Sequence, residues 1–209
     1  MSKKWLTGPL AAVLLLVAAS AATAANTIIL PRAGQVGIGL QGQYGSLLKQ
    51  GDFGEEFGSG PGLAIRLRYR MRYERAFALS FESHNLDARK PGRAQTAFTA
   101  LEDSALRDRL TINLAGVEFY QLFDTRTKTV KMLSAGAGLA QISARLDNGE
   151  TQYPDKGDGV YVSLGAGVER FFFRSWAWDL STRYHAVFHD GKTNHDIQGS
   201  LGIIFYAAY

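Results

Sequence analysis

The feature that most constrains the fold is an alternation of apolar residues with polar or small ones. In VYVSLGAGVER (160–170), aliphatic side chains occupy every second position from Val160 to Val168. Because successive side chains of a strand point to opposite faces, this period predicts β-strands. Comparable segments lie at 36–44, 65–75, 77–83, 110–120, 133–146, 178–188 and 196–209.

These segments are long for strands of a water-soluble protein. Most extend over roughly 9 to 13 residues, whereas strands in globular proteins average about 5 to 6. A strand that crosses a bilayer at a tilt needs about 9 to 11 residues. The pattern therefore predicts an all-β fold, an eight-stranded antiparallel up-and-down transmembrane β-barrel.

The connections between the segments give a second indication. Longer and shorter connections alternate along the chain, in the order 46–61, 73–75, 84–108, 124–128, 147–159, 173–175 and 189–195. A meander that starts and ends in the periplasm has short inner turns and longer outer loops. The aromatic residues also fall into two groups, as membrane interfaces favour. One group lies towards the predicted inner ends (Tyr69, Tyr73, Phe77, Trp176, Trp178, Phe205, Tyr209), the other towards the outer ends (Tyr44, Tyr184, Phe188).

One segment breaks its own alternation. In LTINLAGVEFY (110–120), Leu110, Ile112 and Leu114 are expected to face outward, but Glu118 has the same parity. We therefore expect a β-bulge near Gly116 that turns Glu118 inward.

A ladder of basic residues, IRLRYRMRYER (65–75), fixes which face is the interior. Arginine at mid-depth on a lipid-facing wall costs about 2 to 4 kcal/mol, so Arg66, Arg68, Arg70 and Arg72 are predicted to point into the lumen. Buried cations need partners. The inward parity of other segments supplies an ion-pair network with these arginines: Glu82, Glu118, Glu169, Asp179 and Arg183. A solvated face of a soluble strand is the alternative, but it leaves the matching acids unexplained.

The first 25 residues have the layout of a secretory signal peptide. Lys3 and Lys4 precede a short apolar run, and small residues allow cleavage after Ala24 or Ala25. An uncleaved anchor helix is the alternative, but the apolar run is short for a bilayer. We expect a cleaved signal peptide at 1–25 and a barrel domain at 26–209.

The composition excludes several function classes. Cleavage of the predicted signal peptide lowers the net charge from +4 to +2. A charge this small does not indicate that the mature protein binds nucleic acid. The chain has no Cys, hence neither disulfides nor thiolate metal sites.

The signal peptide and several short sequence segments resemble those of a known family. AGAGLA, GAGVER, WDLSTRYH and the final LGIIFYAAY are similar to the small outer-membrane β-barrel proteins of Gram-negative bacteria, the porin-like or OmpA/OmpX/OmpW-type barrel domains. The resemblance implies export by a Sec signal peptide and residence in the cell outer membrane, among outer-membrane lipid and lipopolysaccharide. It also implies that Phe205 and Tyr209 form the terminal signal read by the barrel-assembly machinery.

A structural or interaction role at the envelope is the function expected from this resemblance. Arg89, Lys90 and Arg93 lie in a predicted outer loop and could contact lipopolysaccharide phosphates. The same loop continues with AFTALEDSALRDRL, which is either a short helix over the mouth or a solvated loop. No extracellular ligand is identified. A narrow porin-like channel is one alternative, and the arginine ladder argues against a wide one.

An enzyme that modifies lipid A, a deacylase or acyltransferase, is the other alternative. The deacylase family has a serine two residues after its histidine, but Gly191 and Ile197 stand two residues after His189 and His195. A glycine-rich phosphate loop is disfavoured because no G-x-G-x-x-G leads into a helix. His185, His189, Asp190, His195 and Asp196 could reach a metal, but they match no ligand spacing. We assign no catalytic residue, cofactor or metal.

Overall fold

The computed structural model describes residues 32–49, 52–88, 109–147, 152–173 and 175–207. It contains eight strands and one short helix: β1 (Val36–Leu47), α1 (Asp52–Glu56), β2 (Ser59–Arg72), β3 (Arg75–Asp87), β4 (Arg109–Phe123), β5 (Thr129–Asp147), β6 (Gln152–Phe173), β7 (Trp176–His189) and β8 (Lys192–Tyr206). Each strand pairs with its sequence neighbours, and β8 pairs with β1. The closed antiparallel eight-stranded barrel predicted from the sequence is confirmed. Within the described part of the chain, no helix has the length and apolarity needed to span a membrane.

The stagger of the strands can be read from the pairing. A path can be traced around the barrel from Gly37 by moving from each residue to its paired residue on the next strand. It passes through Arg68, Ala78, Glu118, Gly136, Ser163, His185 and Asp196 and returns to β1 at Leu47, ten residues beyond the start. Eight strands with this stagger tilt strongly and enclose a lumen that side chains just fill. Every residue on this path has inward parity, so the path also marks the inner wall.

The outer wall is apolar. Leu139 is 68% exposed, Leu164 63% and Phe81 59%, and similar side chains cover the other strands. An apolar surface of this extent is unsuited to water and suits lipid. At the end of the barrel where β1 begins and β8 ends, called the inner end below, aromatic rings pack on this wall. Trp176 lies 4.8 Å from Phe205 and Phe172 lies 5.3 Å from Trp178, measured between ring centroids.

The hairpins at the opposite end, called the outer end, differ from the prediction. β5 has 19 residues and β6 has 22, so most of the loop expected at 147–159 is strand. The residues there are polar, but polarity does not stop a ladder formed by backbone groups. The loop expected at 189–195 is also wrong: Asp190 and Gly191 alone connect β7 to β8. Their φ angles of 48° and 74° fit a two-residue hairpin turn.

The bulge expected in β4 is absent, which corrects the assignment of three leucine and isoleucine residues. β4 pairs without a shift along both neighbours. Leu110, Ile112 and Leu114 are 0–4% exposed and face the lumen on the same side as Glu118. The register shifts of the described strands lie at Arg70/Arg72 and Phe171/Phe173.

The lumen is filled in three layers. An apolar layer near the outer end contains Leu47, Phe57, Leu86, Leu110, Ile112, Leu114, Ala140, Ile142, Tyr161 and Val187. A second apolar layer near the inner end contains Ala76, Ala78, Tyr120, Leu122, Val130, Met132, Phe171, Ala177, Ile204 and Tyr206. Charged and polar side chains lie between them. Helix α1 lies at the outer end, where Phe53 packs against the outer layer and its backbone N–H donates to Asn194 Oδ1 at 3.1 Å.

Candidate functional site: the charged interior

Three arginine side chains of strand β2 point into the centre of the barrel. Arg66, Arg68 and Arg70 alternate with outward apolar residues, and each is 0% exposed. Arg72 lies beyond the register shift at the inner end of β2, opposite Arg75, and its side chain is exposed. The prediction that Arg72 belongs to the interior network is therefore wrong, because the register shift between Arg70 and Arg72 breaks the alternation that puts the other three arginines inside.

The part of the network nearest the inner end centres on Arg68. Its Nη1 donates to Glu169 Oε2 at 2.9 Å and its Nη2 donates to Asp179 Oδ2 at 3.0 Å. The guanidinium also lies 4.3 Å from the centroid of the Tyr120 ring, within range of a cation–π contact. Arg70 Nη2 is 3.6 Å from Glu169 Oε2, so two arginines share that carboxylate. All these side chains are fully buried.

The second part of the network joins β2, β3, β4 and β7. Arg66 Nη2 is 2.5 Å from Glu82 Oε1, and its Nε is 3.5 Å from Glu118 Oε1. Arg183 Nη2 donates to Glu118 Oε2 at 3.3 Å and to the Tyr120 hydroxyl oxygen at 3.0 Å. Tyr120 in turn donates to Glu118. The structure thus brings together Arg66, Arg68, Arg70, Arg183 and the acids Glu82, Glu118, Glu169 and Asp179.

A third group, nearer the outer end, was missed by sequence reasoning. His84 Nε2 is 3.6 Å from Glu82 Oε2, and His185 Nδ1 is 3.9 Å from Asp196 Oδ2. Gln198 Nε2 donates to Asp196 Oδ2 at 2.6 Å. The sequence pattern predicts a loop at His84 and gives Asp196 only a disfavoured role as a metal ligand. The alternation along β3 was the signal that could have found this group, because His84 lies two residues after Glu82 and therefore points to the same face.

The possible metal cluster divides between the two faces of the wall. His185 and Asp196 point inward, whereas the outward-facing His195 has its Nδ1 2.5 Å from the Tyr184 hydroxyl. Among the residues placed by the structure, no set of three or more His, Cys, Asp or Glu side chains is arranged to hold a metal ion.

The interior charges of the described residues nearly cancel. Four buried guanidinium groups (Arg66, Arg68, Arg70, Arg183) face five buried carboxyl groups (Glu82, Glu118, Glu169, Asp179, Asp196). Two buried imidazoles lie beside these acids, His84 next to Glu82 and His185 between Glu82 and Asp196. Removing charges from water is costly unless each is paired and hydrogen-bonded. The arrangement neutralises charge and crosslinks distant strands: four of the carboxylates contact arginines, and Asp196 accepts a hydrogen bond from Gln198.

Two further sets of predicted residues lie elsewhere. Phe205 is on the outer wall of β8, 38% exposed, and contacts Trp176. Arg89, Lys90, Arg93 and Tyr209 lie outside the described residues, so their predicted roles stay predictions.

A closed antiparallel barrel with an apolar outer wall and a charged, filled interior defines the class of transmembrane β-barrel proteins. The sequence supports the same class independently, because residues 10–205 match the family model described as the outer membrane protein beta-barrel domain. The chain therefore belongs to this outer-membrane β-barrel family, and its location is the outer membrane.

Solved structures of outer-membrane proteins share the fold. Neisserial surface protein A is 16% identical, with a TM-score of 0.54 over 81% of this chain and 96% of that one. The attachment invasion locus protein Ail of Yersinia pestis is 12% identical, with a TM-score of 0.54 over 83% of this chain and 99% of that one. OprG of Pseudomonas aeruginosa is 12% identical, with a TM-score of 0.52 over 87% and 100%. No curated protein matches the chain in sequence.

Proposed function

We propose that the protein is a non-conducting barrel with a structural and interaction role at the cell envelope, and that its outer loops contact lipopolysaccharide. The filled lumen is the observation that supports the absence of conduction. Paired charges occupy the centre, and apolar layers lie on both sides of them. An ion passing through would have to leave water at two apolar layers, which is costly.

Single-channel recording in planar bilayers tests the absence of conduction. We expect no stable conductance steps from the purified protein at moderate voltages. Two variants of β2 distinguish conductance through this barrel from conductance through a contaminant. Arg68→Met changes the lumen, whereas Arg72→Met changes a side chain outside it, and a contaminant's steps would be the same with both. Steps that change size with Arg68→Met but not with Arg72→Met would show a path through the lumen and overturn this part.

The contact with lipopolysaccharide rests on the charge of the predicted loop. Arg89, Lys90 and Arg93 form a basic cluster that suits phosphate groups, and such attraction weakens with salt. Replacing all three by Ala should weaken salt-sensitive binding of lipopolysaccharide to the protein in nanodiscs of neutral lipid. Replacing Arg126 and Lys128, exposed at the inner end, is the matched control and should leave binding unchanged.

A comparison of lipid A acyl chains completes the test of a non-enzymatic role. Lipid A from cells with and without the protein should have the same acyl composition by mass spectrometry. A chain gained or lost only when the protein is present would replace the interaction role with an enzymatic one.

A further inference from the structure

The lipid-facing wall carries a notch about midway along β2 to β5. Ile65, Phe81, Ala115 and Leu139 are successive partners across β2 to β5 and all point outward. Three of them are large and exposed, with Phe81 at 59% and Leu139 at 68%. Ala115 between them is small, so the two neighbouring side chains rise as ridges on either side of it.

The next outward row towards the outer end is polar. Ser83, Asn113, Gln141 and Asp158 are successive partners on four adjacent strands, β3 to β6. Both rows line one open groove of about 770 Å³. Grooves and pockets of about 300 to 1,000 Å³ are the usual size of ligand sites. The groove is therefore mostly apolar, with a polar edge on the side towards the outer end.

We propose that this groove binds one acylated lipid of the outer leaflet, with an acyl chain on Ala115 between Phe81 and Leu139. Ser83, Asn113 and Gln141 then contact the start of the chain. Amide and hydroxyl side chains both donate and accept hydrogen bonds. They match amide or ester carbonyls and hydroxyl groups at the linkage between chain and headgroup.

A phosphate group fits this groove poorly. Phosphate is recognised by arginine, lysine or clustered N–H donors, whereas the charged side chains lining the groove are the acidic Asp158 and the inward-facing Glu82. The site is thus different in chemistry from the basic loop proposed above to contact lipopolysaccharide phosphates, and the inference goes beyond that function.

Filling the notch gives a direct test. Wild-type protein, Ala115→Phe and the control Ala166→Phe, at an outward alanine of β6, are purified in mild detergent and incubated with an N-(3-hydroxytetradecanoyl) glucosamine probe. Native mass spectrometry measures the bound probe. Excluding about two methylene groups from contact weakens binding about tenfold. We expect that loss for Ala115→Phe, with Ala166→Phe binding like the wild type.

A second variant tests the polar row. Asn113→Leu with Gln141→Leu should abolish the preference for the probe over tetradecanol while both amphiphiles still bind. The shift between unboiled and boiled samples on SDS gels checks that each barrel is closed. Equal binding by folded Ala115→Phe and wild-type protein would overturn the site, as would equal losses in both phenylalanine variants. Conductance and loop-dependent lipopolysaccharide binding should not change in any of them, so failure here is separate from failure of the proposed function.

Discussion

Replacing Arg68 by Met is the perturbation that most directly tests the role of the interior network. Met keeps an unbranched apolar stem of similar length but removes the guanidinium. Glu169 then keeps the more distant Arg70, at 3.6 Å, and the Tyr206 hydroxyl, which donates to it at 3.1 Å. Asp179 loses the guanidinium that contacts it at 3.0 Å.

The size of the effect follows from this loss. Removing one partner of a buried ion pair costs about 3 to 5 kcal/mol, because the other charge remains buried without compensation. Arg68 serves two carboxylates and also contacts the Tyr120 ring. We therefore expect the free energy of unfolding to fall by about 4 to 5 kcal/mol, near the upper end of that range.

Urea titration of the protein in lipid vesicles, followed by tryptophan fluorescence, measures this free energy. The matched control is Arg72→Met, at the inner end of the same strand with an exposed side chain. Surface substitutions usually change stability by no more than about 0.5 kcal/mol, and we expect that result for Arg72→Met.

A double variant separates charge from packing. Arg68→Met with Asp179→Asn removes a positive and a negative charge together, so it should cost less than Arg68→Met alone. Equal losses for Arg68→Met and Arg72→Met would refute the argument from buried pairing. A double variant no more stable than the Arg68 single variant would show that the unpaired charge of Asp179 is not the source of the loss.

Glycine positions supply two further predictions, with one control. A Cβ on Gly138 would meet the Ala115 carbonyl oxygen and the Tyr161 ring. Gly138→Ala should therefore lower the free energy of unfolding, measured by urea titration, by about 1 to 3 kcal/mol. An unchanged urea midpoint would contradict the close approach of β4 and β5. Gly191 has a φ of +74°, so Gly191→Ala should cost about 1 kcal/mol although nothing crowds it; slower folding into vesicles without any loss of stability would contradict this reasoning. A Cβ on Gly199 would meet no atom within 4 Å, and its φ is not positive, so Gly199→Ala should be neutral within about 0.5 kcal/mol.

The alternation of side chains was sufficient to predict the number of strands, their order and most of their orientations. It predicts Arg66, Arg68 and Arg70 on the inner face, where the structure has them. It failed in β4, where the apolar character of Leu110 indicated an outward position. The lumen of this barrel has apolar layers as well as charged ones, so polarity alone does not identify the inward face. Continuous parity from Glu118 would have given the right answer.

The partners of each charge could not be predicted in the same way. Parity shows that Glu82 and Glu169 face the lumen, but the stagger of the whole barrel decides which arginine each one meets. That stagger depends on seven hairpin registers and on the closure of β8 against β1. The ends of the strands were also beyond local reasoning, because polar residues of long hairpins look like loops.

This dependence on stagger suggests what the charges contribute besides stability. If one strand slipped by two residues, every side chain would keep its face, and one apolar group on the lipid-facing wall would replace another at little cost. The interior would not tolerate the slip, because Arg68 meets carboxylates from β6 and β7 within 3.0 Å only in the observed register. Buried polar groups fix register in other folds at some cost in stability. Since the mostly apolar outer wall distinguishes such registers only weakly, we infer that the arginine ladder and the acids spread over β3, β4, β6 and β7 select the one that closes the barrel.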